Sequence, residues 1–228
     1  PAHIDAHGYV TLTGEGRYEE ALDVVRRVTP FSGVLGRVCV HPCESNCTRR
    51  FVEQPISIAG LKRFLADTDR KNGEKKVAVA AEPKTAKVAI VGAGPAGLNC
   101  AYSLAKEGYG CTVFEKLPVA GGMLQVGIPD YRLDKKVLDY EIALVEDMGV
   151  EIKYNTEVGR SRQGFYSGGS EGARVSGCLS GNRRPFRCQI GNSRGREWSR
   201  NFQCCFFTGA ESEEVFRRKR SHWQVNPW

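Results

Sequence analysis

The chain of 228 residues is long enough to bury one or two cores and carries a formal charge of +7. That charge is confined to one end: residues 160–228 hold 13 Lys+Arg against 5 Asp+Glu, whereas residues 1–159 balance to −1. The basic character therefore belongs to the tail, and nothing in the body points to nucleic acid. No apolar run approaches the roughly 18 residues that cross a bilayer and no signal peptide is visible, so we read a cytoplasmic chain with no membrane partner. It begins at Pro1 rather than Met, which we read as a processed product or a fragment.

Residues 1–71 read as helical. In "RYEEALDVVRRV" (17–28), Ala21, Val24, Val25 and Val28 recur at helical spacing, and Pro30 stops the run. The segment "SIAGLKRFLADTD" (57–69) repeats the pattern with Leu61, Phe64 and Leu65. Residues 72–86 are charged, alanine-rich and unpatterned, as a linker is. From residue 87 the period changes. "KVAIVGAGPAGLNCAYSLAKEGYGCTVFEK" (87–116) reads as strand, glycine turn, helix and second strand. "LDKKVLDYEIALVEDMG" (133–149) is an amphipathic helix with Asp134 as N-cap, and "VEIKYNTEV" (150–158) is a following strand.

The turn is Gly92-Ala93-Gly94-Pro95-Ala96-Gly97. A GxGxxG string alone is a weak signal, but here it follows a strand and opens a helix. Gly92 permits a tight turn, Gly94 lets backbone approach a pyrophosphate, and Gly97 lets helix and strand pack closely. The helix start then offers unpaired N–H groups and a positive dipole end to phosphate. Glu115 closes the second strand, where an acid accepts from ribose hydroxyls and disfavours a 2′-phosphate. A second pair, Gly121-Gly122, follows in "EKLPVAGGM" and resembles the flavoprotein extension of the fingerprint, which selects FAD over NAD for this turn. In "GIPDYRL" (127–133), Arg132 has either a phosphate or flavin contact or an ordinary surface role.

Nine cysteines is a high count, and three of them form a CxxxCxxxC run in "GRVCVHPCESNC". Cys39, Cys43 and Cys47 are soft thiolate donors suited to iron–sulfur clusters or to zinc; the alternative is three reduced structural thiols. Three ligands are fewer than the four a cluster takes, so the remainder must come from elsewhere.

With these segments in hand, residues 1–159 resemble the small (beta) subunit of NADPH-dependent glutamate synthase. They are equally similar to the N-terminal half of dihydropyrimidine dehydrogenase and related iron–sulfur flavoproteins. The stretches that carry the resemblance are "PAHID", "EGRYEEAL", "GRVCVHPCESNC", "QPISIAGLKRF", "VGAGPAGL", "FEKLPVAGGML" and "GIPDYRL". It implies a helical domain with two [4Fe-4S] clusters at 1–71 and a linker at 72–86. The N-terminal part of an α/β Rossmann-like FAD domain would follow at 87–159. It also implies that Cys39 and Cys43 ligate one cluster and Cys47 the other. The FAD would be lined by Val38, Gly92, Ala93, Gly94, Pro95, Ala96 and Gly97, with Glu115, Lys116, Gly121, Gly122, Met123, Arg132 and Val158. Cys100 and Cys111 match no ligand position and read as core. Two family features have no counterpart in these residues: a cysteine group just before "PAHI", and a second GxGxxG for NADPH.

Residues 160–228 break the pattern. They contain one Leu, one Ile, no Met and no Asp, but 12 Arg, 9 Gly and 9 Ser, too little aliphatic surface to offset the entropy of ordering. A basic nucleic-acid arm and an irregular metal knuckle of Cys178, Cys188, Cys204, Cys205 and His222 are weighed against a simpler reading, that the tail is translated out of frame from near Gly159. Back-translated with chosen codons and read one base on, it yields a helix, an apolar strand and a glycine-proline turn in the order the family has next. The expectation is thus a disordered, aberrant tail on a truncated and inactive FAD domain. The intact parent would pass electrons from NAD(P)H through FAD and [4Fe-4S] clusters to a larger partner subunit. A non-catalytic FAD-binding remnant and a basic nucleic-acid binder with a flavoprotein-like body are the alternatives.

Overall fold

A computed structural model describes residues 3–73, 82–161, 164–167 and 205–208. The N-terminal part is helical: α1 (Ala6–Gly14), α2 (Tyr18–Arg26), α3 (Ser32–Val38), the short α4 (Pro42–Ser45), a 3-10 turn at Thr48–Phe51, and α5 (Ile58–Asn72). Asp5 caps α1 by accepting from the Gly8 amide, which satisfies one of the helix's orphan donors. Helix α2 buries Ala21, Leu22, Val24 and Val25, nearly the face the helical spacing marks out. Helix α5 departs from its expected face. Phe64 is 45% exposed and meets Tyr18 edge-on, while Lys62, only 8% exposed, lies on the inner face beside the Tyr9 ring. The buried stripe is Ile58, Lys62, Leu65 and Ala66; Tyr9 and its neighbours offer the aliphatic stem of Lys62 an apolar bed.

The α/β part follows: β1 (Lys84–Val91), α6 (Pro95–Lys106), β2 (Tyr109–Phe114), α7 (Met123–Val126), α8 (Lys135–Glu146) and β3 (Glu151–Lys153). β1, β2 and β3 pair in parallel through the crossovers that contain α6 and α8. Asp134 caps α8 as the sequence predicts, accepting from the Lys136 amide. The strand expected over 150–158 is shorter. Tyr154 begins a turn, Asn155 adopts a left-handed φ of 53°, and the chain restarts as β4 (Val158–Ser161), antiparallel to β5 (Gly164–Ser167). It is also not the last strand of the main sheet. The backbone of β6 (Cys205–Thr208) lies antiparallel on the free edge of β1, giving the order β3-β2-β1-β6. The rest of the tail, and with it the proposed arm, knuckle and frameshift, lies outside the described residues, as does most of the 72–86 linker.

Two cores form. One gathers Tyr9, Ala21, Leu22, Val25 and Leu65 within the helical part. The other fills the sheet-and-helix sandwich with Val88, Ile90, Leu98, Tyr102, Val113, Leu138 and Val145, and it also takes in Phe31 and Val34 around α3. Helix α3 therefore belongs to both halves of the molecule.

Candidate functional site

Strand β1 delivers the chain into the glycine turn, and α6 leaves it with Gly94 as N-cap and Pro95 in the first turn. Gly92 has φ +94°, a conformation L side chains rarely adopt. A Cβ on Gly97 would collide with the Gly92 carbonyl, so helix and turn touch as backbone. A Cβ on Gly94 would meet nothing within 4 Å, so the helix start is open there.

Gly121 and Gly122 come back onto this turn. The Gly121 N–H donates to the Ala93 carbonyl at 2.7 Å. Gly122, at φ +53°, sits so close that an added Cβ would be 2.9 Å from the Gly94 Cα. The two glycine elements, 24 or more residues apart in sequence, thus form one cradle of bare backbone. Glu115 is 7% exposed and ties it together: its carboxylate accepts from the Ala93 amide at 2.6 Å and from the Leu117 amide at 2.8 Å. Each oxygen keeps a further lone pair for a hydroxyl.

The remaining expected residues are placed unevenly. Met123 starts α7 directly after Gly122 and is 52% exposed. Lys116 is exposed and pairs with Glu157 at 2.8 Å, beside half-buried Val158. Arg132 is exposed. The loop that carries Met123 and Arg132 is held by Lys135, whose ammonium donates to the Leu124 carbonyl at 3.0 Å and to that of Ile128. Val38, at the end of α3, packs against the sandwich core.

Cys39 is the C-cap of α3, and its sulfur accepts from the His41 amide at 3.3 Å. His41 takes φ 40° to turn the chain into α4, which carries Cys43. Cys47 follows the next turn; hydrogen bonds from the backbone at Ile56 and Arg49 draw its thiol below the ordinary value, which favours the thiolate a metal needs. Lys62 is beside Cys39 and Cys43; burial lowers its pKa, and the two sulfurs oppose that shift. Among the described residues no group of three or more His, Cys, Asp or Glu side chains is arranged to hold a single metal ion. Cys111 is a core residue, its thiol pushed up to about 12 by burial, and Cys100 packs against the same core.

Residues 1–74 match the family model for the 4Fe-4S cluster domain II of dihydropyrimidine dehydrogenase, and residues 90–150 match that of an NAD(P)-binding Rossmann-like domain. The chain thus carries a 4Fe-4S domain of the dihydropyrimidine dehydrogenase type followed by an NAD(P)-binding Rossmann-like segment. The NADP(+)-dependent formate dehydrogenase subunit beta of Moorella thermoacetica is 51% identical over 180 residues, 70% of this chain and 26% of that protein. The NADPH-Fe(3+) oxidoreductase subunit beta of Geobacter sulfurreducens is 46% identical over 162 residues, 70% of this chain and 24% of that one. The NAD-dependent dihydropyrimidine dehydrogenase subunit PreT of Escherichia coli is 39% identical over 163 residues, 71% and 39% respectively. The chain thus spans about a quarter to two fifths of the length of these relatives. No helix among the described residues is long and apolar enough to cross a membrane.

Sequence reasoning passed over Glu141, a carboxylate 2% exposed at the contact between α8 and α3. The signal was present: Glu141 stands on the apolar stripe of its helix, between Val137, Leu138, Ile142 and Val145.

Proposed function

We propose that this chain is the flavin-binding and cluster-bearing part of an NAD(P)H-dependent oxidoreductase that delivers electrons to a larger partner subunit. The observation that carries the reading is the double glycine cradle, with Gly122 against Gly94 and Gly121 bonded to Ala93. One glycine turn suits the diphosphate of any dinucleotide; a second one closing over it favours FAD. The α6 N-terminus and the bare backbone at Gly92, Gly94 and Gly122 would bind the diphosphate, and Glu115 would orient the ribose while fixing the turn. When bound, FAD accepts a hydride and releases electrons singly, which joins a two-electron donor to one-electron clusters. The chain's own part is to bind and position, so no side chain is assigned a proton-transfer role. Cys39 and Cys43 would serve one cluster and Cys47 another, each with further ligands from elsewhere.

Flavin titration of the 228-residue chain tests the assignment. FAD is expected to bind with quenched fluorescence and to outcompete NADP+. Binding of NADP+ with no flavin binding would refute it.

A further inference from the structure

Helix α3 lacks an N-cap of its own. Phe31 occupies that position and offers no side-chain acceptor, so the amides of Gly33 and Val34 would go unsatisfied in a buried setting. Glu141 reaches them from α8: the carboxylate takes the Gly33 N–H at 2.5 Å, the Val34 N–H at 3.0 Å and the Ser32 hydroxyl at 3.1 Å. The same helix is gripped by two glycines. A Cβ on Gly33 would come within 2.9 Å of Val137 Cγ1 and 3.1 Å of the Glu141 carboxylate; one on Gly36 would come within 2.7 Å of the Arg63 backbone on α5. α3 is thus pressed against the α/β half on one side and the helical half on the other. Its far end is Val38 and Cys39, and the Cys39 amide is still tied to the Leu35 carbonyl at 3.1 Å.

We infer that Glu141 is a positioning residue: by capping α3 from the nucleotide-binding half, it fixes where Cys39 stands relative to the glycine cradle. This rests on reading Cys39 as a cluster ligand and the cradle as the flavin site. Electron transfer between the two then depends on a separation that α3 sets. Two further contacts across the same boundary keep the halves from sliding. The Tyr102 hydroxyl donates to the Arg26 carbonyl, and the Tyr140 hydroxyl donates at 3.1 Å to Asp69, the partner of Arg26 in a buried ion pair. They act on α2 and α5, whereas Glu141 acts on the element that ends in Cys39.

The test uses the full chain without cofactors, so it judges the clamp separately from the flavin titration. Hydrogen exchange at Gly33–Val38 and the alkylation rate of Cys39 relative to Cys47 are measured in wild type, Glu141→Ala and Glu141→Gln. Ala is expected to raise both roughly tenfold, as for a buried pair of donors losing its acceptor. Gln, which keeps one acceptor oxygen, should lie between. Gly33→Ala, which wedges α3 away while leaving Glu141 in place, should reproduce the Ala result and serves if Glu141→Ala fails to fold. Unchanged exchange in α3 overturns the inference. So does faster exchange with no change at Cys39, which would make Glu141 a helix cap and nothing more. An equal rise throughout residues 3–73 would overturn it too, as general loosening.

Discussion

Two buried carboxylates in this molecule are closed in by backbone amides, and they differ in what those amides belong to. Glu115 accepts from Ala93 and Leu117, both within the α/β half, so it shapes the turn it serves. Removing a buried acceptor strands its donors and costs about 1–3 kcal/mol. Glu115→Ala is therefore expected to lose about that much stability by urea unfolding and to weaken FAD binding at least about tenfold. A stability loss with unchanged flavin affinity would make Glu115 purely structural. Lys116, its neighbour, is paired with Glu157 at the surface, where such pairs contribute little. Charge at that position is not what holds the cradle together.

At the scale of elements, the α3–α8 contact makes stability depend on pH. Burial raises the Glu141 carboxyl to about 7, against an ordinary value of 4.5, while the Gly33 and Val34 amides, Ser32 and nearby Arg26 pull the other way. A folded value above the unfolded one favours the protonated form in the fold. That contribution is complete below about pH 4.5 and is lost as pH rises through about 7. Wild type should accordingly lose stability relative to Glu141→Gln between pH 5 and 8, read as diverging urea midpoints; a constant gap would refute the assignment. This contact also marks the limit of what the sequence could tell. Helices α2 and α8 and the glycine turn were legible because apolar period, cap and glycine spacing are local signals. Helix α3 has only seven residues and draws its cap from a residue more than 100 positions away, so no local window contains its reason to exist. Phe64 departs from its expected face for a related reason: the inner face of α5 is decided by Tyr9 and Tyr18, which the period of α5 does not report. The edge position taken by β6 lacked any aliphatic run to announce it.

For the whole molecule, metal content follows from which thiols are available. The described residues offer Cys39, Cys43 and Cys47 as ligands near the surface of the helical half. Cys111 is excluded by burial, its thiol standing near 12, since the thiolate is the form that binds iron. A [4Fe-4S] cluster takes four protein ligands, so two of them need about eight. Three thiols are fewer than even one such cluster takes, so further donors are needed. Iron held by these three thiols alone should be substoichiometric and easily lost to a chelator, because a site short of ligands leaves iron open to solvent. Metal and cradle are otherwise separable. The α/β half has a dense core, with Val88, Ile90, Leu98 and Leu138 at most 1% exposed. Stripping iron should therefore leave FAD affinity within about twofold, while the far-ultraviolet circular dichroism of the helical part falls only slightly. Anaerobic iron and sulfide analysis of the reconstituted 228-residue chain decides the first point: about eight of each per chain, retained through chelation, would show that it completes both clusters unaided and would overturn this account.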